Sequence, residues 1–314
     1  MGNSFFSIIV PIYNEGEVLI ELCKRTVAVL EHHAHEYEII LIDDGSSDKT
    51  PLLMTELHRN NPRIKCIFLS RNFGQPSALS AGLDYAQGDA VVVMDADLQD
   101  PPETLPSFFE KWREGYEVVY GVRTKRKEFF LKRSAYWIFY RLFKSVAELE
   151  NAVLDSGDFS LLDRKVVLTL RSMPERTRFL RGLRSWVGYR QCGIVYERAS
   201  RFAGIPKYTL SKLFRLAFDG LFSFSYLPLR FATLLGFSVA LFAGVGIAVL
   251  LYLRLRYGVL GIVGFSSTLI VILFIGAVQL ISIGILGEYI GRIYDEVRRR
   301  PMYIIQKTMG SFKP

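Results

Sequence analysis

Asp95 and Asp97 stand one residue apart at the end of a short apolar run, Val91-Val92-Val93-Met94. A run that short and β-branched reads as a buried strand, and open α/β sheets hold their ligands where such strands end. Two carboxylates there offer hard oxygen ligands suited to Mg²⁺ or Mn²⁺, ions that usually reach a protein together with substrate phosphates. The pair therefore points to a metal-bridged diphosphate. A lone Asp-x-Asp serves equally well as a turn cap, here ahead of Pro101-Pro102, so the surrounding elements must decide.

Those elements alternate over the first 122 residues in the pattern of a doubly wound parallel sheet. Strands read at Ser7 to Val10, Tyr37 to Ile42, Ile64 to Leu69, Ala90 to Met94 and Val118 to Tyr120. Helices read at Glu17 to His32, Thr50 to Arg59, Gln75 to Ala86 and Glu103 to Arg113. The polar clusters Tyr13-Asn14-Glu15, Asp43-Asp44-Gly45-Ser46, Arg71-Asn72-Phe73-Gly74 and Asp95-Ala96-Asp97 all fall at strand exits, which would line one edge of the sheet. Further on, Asp155 to Phe159 reads as a turn entering a short strand, and Gln191 to Glu197 as another strand.

The C-terminal third carries a different pattern. Phe231 to Leu253 is 23 residues without a charge and Tyr257 to Gly287 is 31 more, each long enough to cross a bilayer as a helix. Only Arg254 and Arg256 lie between them, so a tight hairpin is expected. Ten basic residues flank its outer ends, from Lys207 to Arg230 and from Arg292 to Lys313, which places those ends and the catalytic domain in the cytoplasm. Gly236, Ala240, Gly244 and Ala248 form a small-residue stripe on the first span, suited to packing on the second span or on another subunit.

The net charge of +8 fits anionic membrane surfaces or phosphorylated substrates, and no nucleic-acid signature accompanies it. Ser7 to Val10 runs into Pro11 without the basic and apolar leader of an export signal. Cys23, Cys66 and Cys192 have neither metal nor disulfide spacing and read as core residues of a reducing compartment. From Lys125 the chain mixes Lys125, Arg126, Lys127, Lys132 and Arg133 with Phe129, Phe130, Tyr136 and Trp137, a composition suited to a bilayer interface or to a packed helix. Tyr208 to Tyr226 repeats it just before the first span. The expected division is thus an α/β core at 1–124, a basic and aromatic part at 125–200, a juxtamembrane segment at 201–230, two spans within 231–287 and a basic cytoplasmic tail at 288–314.

Together these residues resemble an inverting family 2 glycosyltransferase with the GT-A fold, a Rossmann-like, mostly parallel α/β sheet, here followed by amphipathic interface helices and a transmembrane hairpin. The resemblance rests on Ile9-Val10-Pro11-Ile12-Tyr13-Asn14-Glu15, Asp43-Asp44-Gly45-Ser46-Ser47-Asp48 and Asp95 to Glu103. With Leu69 to Gly74, the last stretch looks more narrowly like the polyisoprenyl-phosphate glycosyltransferases, the group of dolichyl-phosphate mannose synthases and bactoprenol glucosyltransferases. The resemblance makes 1–124 a nucleotide-sugar-binding core and 125–200 the acceptor side. It implies that Pro11, Tyr13, Glu15 and Asp43 or Asp44 hold the nucleobase and ribose; Arg71 and Lys207 are further donor-side candidates. It further implies that Asp95, Asp97 and Gln99 hold Mg²⁺ or Mn²⁺ and the donor diphosphate. Asp43 and Asp44 would otherwise serve as a capping turn with Ser46 and Ser47. The Gln-x-x-Arg-Trp signature of processive synthases of the same superfamily is missing; the nearest segment, Leu183-Arg184-Ser185-Trp186, lacks the glutamine.

The implied acceptor is a lipid phosphate monoester, mostly dianionic at neutral pH and already nucleophilic. Positioning it matters more than deprotonating it. Arg123, Arg126, Lys132 and Arg133 are candidates to hold the acceptor phosphate, and Arg201 with Lys207 to meet the diphosphate; a solvated basic face is the alternative for each. Asp97, Asp158 and Arg201 are the expected catalytic residues, with Asp158 orienting or deprotonating the acceptor unless it is a turn residue. The expected protein moves one sugar, glucose from UDP-glucose, to an undecaprenyl-type phosphate at the cytoplasmic face of a bacterial inner membrane. GDP-mannose or another nucleotide sugar is the alternative donor, and a non-catalytic nucleotide-sugar-binding scaffold the alternative class.

Overall fold

The structure, a computed structural model, describes residues 4–34, 36–123, 156–173, 175, 180–197, 227–257 and 265–312. Eight strands form one sheet: β1 (Phe5–Ile12), β2 (Glu36–Asp43), β3 (Ile64–Leu69), β4 (Ala90–Val93), β5 (Val118–Arg123), β6 (Ser156–Asp163), β7 (Gln191–Tyr196) and β8 (Ile305–Met309), in the order β7-β5-β6-β4-β1-β2-β3-β8. β1 pairs in parallel with β2 and β4, and β2 with β3, so their carboxyl ends share one edge as their sequence pattern requires.

Beyond β4 the plan changes. β6 inserts between β4 and β5 and runs antiparallel to both, while β7 pairs in parallel with β5. The sheet is therefore mixed. β4 needs no polar face because both of its edges and both of its faces are covered, which is why Val91, Val92 and Val93 are all fully buried.

Helices α1 (Leu19–His33), α2 (Thr50–Asn60), α3 (Gln75–Tyr85) and α4 (Leu105–Arg113) connect the first strands, with a 3₁₀ turn at Pro102–Thr104. α1 buries Leu19, Leu22, Cys23, Thr26 and Leu30, a stripe at helical spacing laid on the sheet. Phe6 meets Phe109 at 4.1 Å between ring centres and Phe108 meets Phe159 at 4.6 Å, so α4 ties β1 to β6. Each such side chain contributes about 2–3 kcal/mol of transfer free energy before entropy is counted. Cys23 and Cys66 lie in this core, where burial pushes both thiols up to about 12. α5 (Arg164–Ser172) and α6 (Leu180–Trp186) follow β6.

The segment read as a basic tail instead contributes β8, which pairs antiparallel with β3 from Cys66↔Met309 to Leu69↔Ile305. The Ser70 amide donates to the Ile304 carbonyl at 2.9 Å, and the Phe312 ring meets Tyr85 at 5.1 Å. Ile305-Gln306-Lys307-Thr308-Met309 has no apolar–polar alternation to mark it as a strand, since only its two end residues are apolar.

The described residues 227–257 and 265–299 form a separate unit. It contains α7 (Leu227–Tyr257) and α8 (Phe265–Val297), which contact each other. Both are long and apolar enough to cross a membrane, over Pro228–Leu253 and Val271–Val297. Several of their large apolar side chains are exposed, Phe237 by 73% and Phe242 by 77%. Two details differ from expectation: Arg254 and Arg256 belong to the last turn of α7, and α8 runs ten residues past Gly287. No described atom comes within 4 Å of a Cβ placed at Gly236 or Gly244, so the small-residue stripe does not pack closely on α8.

Candidate active site

At the exit of β4 the chain turns sharply. Leu98 is buried with φ of 57°, a left-handed conformation costly for a branched side chain, and this folds Asp95, Asp97 and Asp100 back towards one another. Asp97 accepts the Gln99 amide at 3.1 Å, so it caps the turn with one oxygen, as the bland reading expected. Asp95 accepts the Gln75 side-chain amide at 3.0 Å. Asp100 is fully buried and accepts the Tyr196 hydroxyl from β7.

β6 brings a fourth carboxylate. The β4–β6 register ends at Val93↔Ser160, and continuing it two residues brings Asp158 level with Asp95. Desolvation and then Asp158, Asp100 and Asp97 push the Asp95 carboxyl far above the ordinary range, while Arg181 opposes them. Four acids against few cations make a site that favours a bound cation. Their oxygens suit a hard divalent ion, although the described residues contain no preformed cage of three or more His, Cys, Asp or Glu.

Two arginines of α6 reach β6. Arg181 grips Asp158 bidentately, Nε to Oδ1 at 2.8 Å and Nη2 to Oδ2 at 2.9 Å. Arg184, one turn later and 2% exposed, donates to the Gly157 carbonyl at 3.3 Å and lies 5.1 Å from the Tyr120 ring centre. Burial lowers its guanidinium to about 10, with Asp158 acting in the opposite direction.

The exits of β1, β2 and β3 are tied by backbone amides. Asp43 accepts the Ser46 amide at 3.1 Å, and Asp44 accepts Phe73 N–H at 2.7 Å and Gly74 N–H at 2.9 Å. Both acids are buried, and desolvation raises both above the usual carboxylate range against those hydrogen bonds. Asn14, at φ of 53°, donates to Ser46 Oγ and accepts the Ser47 amide. Asp48, not Asp43 or Asp44, caps α2 through the Thr50 amide. Gly45 has φ of 71°, and a Cβ there would lie 2.5 Å from the Arg71 carbonyl carbon, so only glycine lets these loops touch. Tyr13 is 40% exposed on this surface, Pro11 and Glu15 are partly buried beside it, and the exposed Arg71 guanidinium lies 4.4 Å from the Phe73 ring centre.

The structure thus gathers Asp95, Asp97, Gln99 and Asp158 on one side, and Pro11, Tyr13, Glu15, Asp43, Asp44 and Arg71 on the other. Arg123 ends β5, level with Tyr196 of β7. Arg126, Lys132, Arg133, Arg201 and Lys207 lie outside the described residues, as do both aromatic basic stretches. Sequence reasoning missed Gln75, Asp100, Arg181, Arg184 and Tyr196. Arg181 had a readable signal: it stands three residues before Arg184, where the synthase signature has its glutamine.

A solved structure of glucosyl-3-phosphoglycerate synthase from Mycobacterium tuberculosis matches with a TM-score of 0.51 at 18% identity, over 68% of this chain and 76% of that one. The likeness shows a GT-A-like mixed sheet, here with an acidic strand exit, and the family match makes this a sugar-transferring enzyme. The chain belongs to glycosyl transferase family 2, whose sequence profile matches residues 7–171. An uncharacterized glycosyltransferase of Synechocystis is 45% identical over 97% of this chain and 95% of its own length. A prophage-derived bactoprenol glucosyl transferase of Shigella flexneri is 42% identical over 96% of this chain and 97% of its own.

Proposed function

We propose that the protein transfers a single sugar, glucose from UDP-glucose, onto an undecaprenyl-type phosphate at the cytoplasmic face of a bacterial inner membrane. The observation that carries the reading is the convergence of Asp95, Asp97 and Asp158 at the β4 exit, beside the loops that carry Tyr13, Asp43, Asp44 and Arg71. Near-full-length similarity to a bactoprenol glucosyl transferase supports the acceptor, and the two bilayer-length helices support the location.

Asp95, Asp97 and Gln99 are the residues that would hold Mg²⁺ or Mn²⁺. Bound there, the ion would offset charge on the departing nucleoside diphosphate. Tyr13 offers a ring for the base, and Pro11 and Glu15 complete the donor surface with Arg71. Asp44 serves that surface by holding its loops, since both its oxygens accept backbone amides, while Asp43, engaged by an amide through Oδ1, is the acid assigned to the base and ribose. Arg201 and Lys207 are assigned to the diphosphate, and Arg123, Arg126, Lys132 and Arg133 to the acceptor phosphate, because two anions brought together require cations.

The test is transfer from labelled nucleotide sugars to a short-chain polyprenyl phosphate, with Mg²⁺ or Mn²⁺ and with chelator. Lipid-linked glucose from UDP-glucose, lost with chelator, is the expected result. Transfer only from GDP-mannose would change the donor, and absence of nucleotide release with every donor would leave a binding protein.

A further inference from the structure

We propose that Asp158 is a positioning residue and that Arg181, which it holds, meets a phosphate oxyanion at this site. The inference rests on the sugar-transfer reading and changes the role of its third acid. Both Asp158 oxygens are taken by the guanidinium, at 2.8 and 2.9 Å, so a proton arriving from substrate would have to compete with an arginine fork. The exposures of the two side chains run the same way. Asp158 is 14% exposed and Arg181 36%, which makes the acid the anchor and the cation the presented group.

The surroundings fix that presentation. Arg184, on the same face of α6 one turn later, is buried against Gly157 and Tyr120 and so clamps the helix to the start of β6. The Gln191 side-chain amide donates to the Arg184 carbonyl at 3.0 Å, holding the end of α6 to β7. Asp158 lies level with Asp95 across the sheet, so the fork stands beside the acids assigned to the ion and its diphosphate. Asp158 takes the Nε–Nη2 edge of the guanidinium, so a phosphate would meet the Nη1–Nη2 edge, whose two coplanar donors match two oxygens at once. An acceptor that is a dianion has no proton that must leave, so a base at Asp158 would have little to remove.

The phosphate could belong to the donor diphosphate or to the acceptor monoester. Calorimetric titration of the full-length protein with UDP in the presence of Mn²⁺, and separately with a short-chain prenyl monophosphate, distinguishes them without requiring turnover. Arg181→Ala is expected to weaken one of these tenfold or more, and the affected arm names the source. Guanidinium ion added to Arg181→Ala should restore part of kcat, whereas Arg181→Lys should not recover it. Asp158→Asn keeps an oxygen for the fork and removes any base; it should cost less kcat than Arg181→Ala and leave the acid limb of the pH–rate profile in place.

Thermal melting checks folding, and Arg181→Gln replaces the alanine variant should that one fail to fold. Wild-type affinity for both anions in the folded arginine variant overturns the proposal. So does loss of turnover together with the acid limb in Asp158→Asn while Arg181→Ala stays active. Failure of the wild type to form any lipid product would instead overturn the sugar-transfer reading, and the two titrations would still decide the role of Arg181.

Discussion

The two flanks of β4 hold their polar groups by different means. On the β1–β2–β3 flank the carboxylates spend their oxygens on backbone amides: Asp43 on Ser46, Asp44 on Phe73 and Gly74, Asp48 on Gly16 and Thr50. On the β6–β5–β7 flank they meet side chains: Asp158 meets Arg181, 23 residues away, and Asp100 meets Tyr196, 96 residues away. Amide-bound acids make rigid loops that a rigid ligand part can dock on. Acids matched by side-chain cations or hydroxyls can exchange those partners for a charged ligand, which suits the part of a site where charge moves.

The largest expected effect falls where the flanks meet. Asp95→Asn or Asp97→Asn removes ligand charge at almost no change in volume, and turnover should fall by roughly a hundredfold or more. Melting temperature should stay close to that of the wild type, because neither acid sits in the apolar core. Turnover near normal in both variants would move the ion elsewhere and dissolve the boundary between the flanks.

Arg184→Ala tests the side-chain flank through stability. It deletes a buried guanidinium, leaves the Gly157 carbonyl short of a donor and opens a cavity under Tyr120, at a cost of about 2–4 kcal/mol. Arg184→Met, which refills the space, should recover part of that in a denaturation series. Equal stability of all three proteins would mean that α6 is held by other contacts.

Asp44→Ala is the corresponding break on the amide-bound flank. Two amides lose their acceptor, costing about 1–3 kcal/mol, and the 71–74 loop loses its tie to β2. The KM for nucleotide sugar should rise about tenfold while the acceptor KM stays put, an order-of-magnitude expectation for the loss of preorganisation. A shift in the acceptor KM instead would show that the flanks are not separable.

This contrast also explains what could be read from the sequence. Each parallel strand announces itself by an apolar run and delivers its polar residues just past its end, so β1 to β4 and their exits were legible one by one. β6 was readable only as a turn with a short strand, because its placement between β4 and β5 follows from pairing and leaves no local mark. Arg181 and Arg184 looked like part of an incomplete signature, and only the packing of α6 on β6 gives them a task. β8 was lost for a different reason: charges flanking α8 are a membrane-orientation signal, and Ile305 to Met309 carries no alternation to set against that reading, its place following from pairing with β3.

The smallest expected effect separates contact from support on the donor side. Arg71 is exposed, with its guanidinium 4.4 Å from the Phe73 ring centre, and an exposed cation–π pair contributes only about 0.5–1 kcal/mol. Arg71→Ala should therefore leave the melting temperature almost unchanged. Its loop is held through the Phe73 and Gly74 amides on Asp44, which the substitution does not touch, so the donor surface keeps its shape. Any rise in the donor KM then reports a direct loss of contact between the guanidinium and the nucleotide sugar. A few-fold rise, with kcat and acceptor KM unchanged, is the result expected for a peripheral contact made equally in ground and transition states. A fall in kcat as well would place Arg71 on the departing diphosphate, and this flank would then share the handling of moving charge with the other.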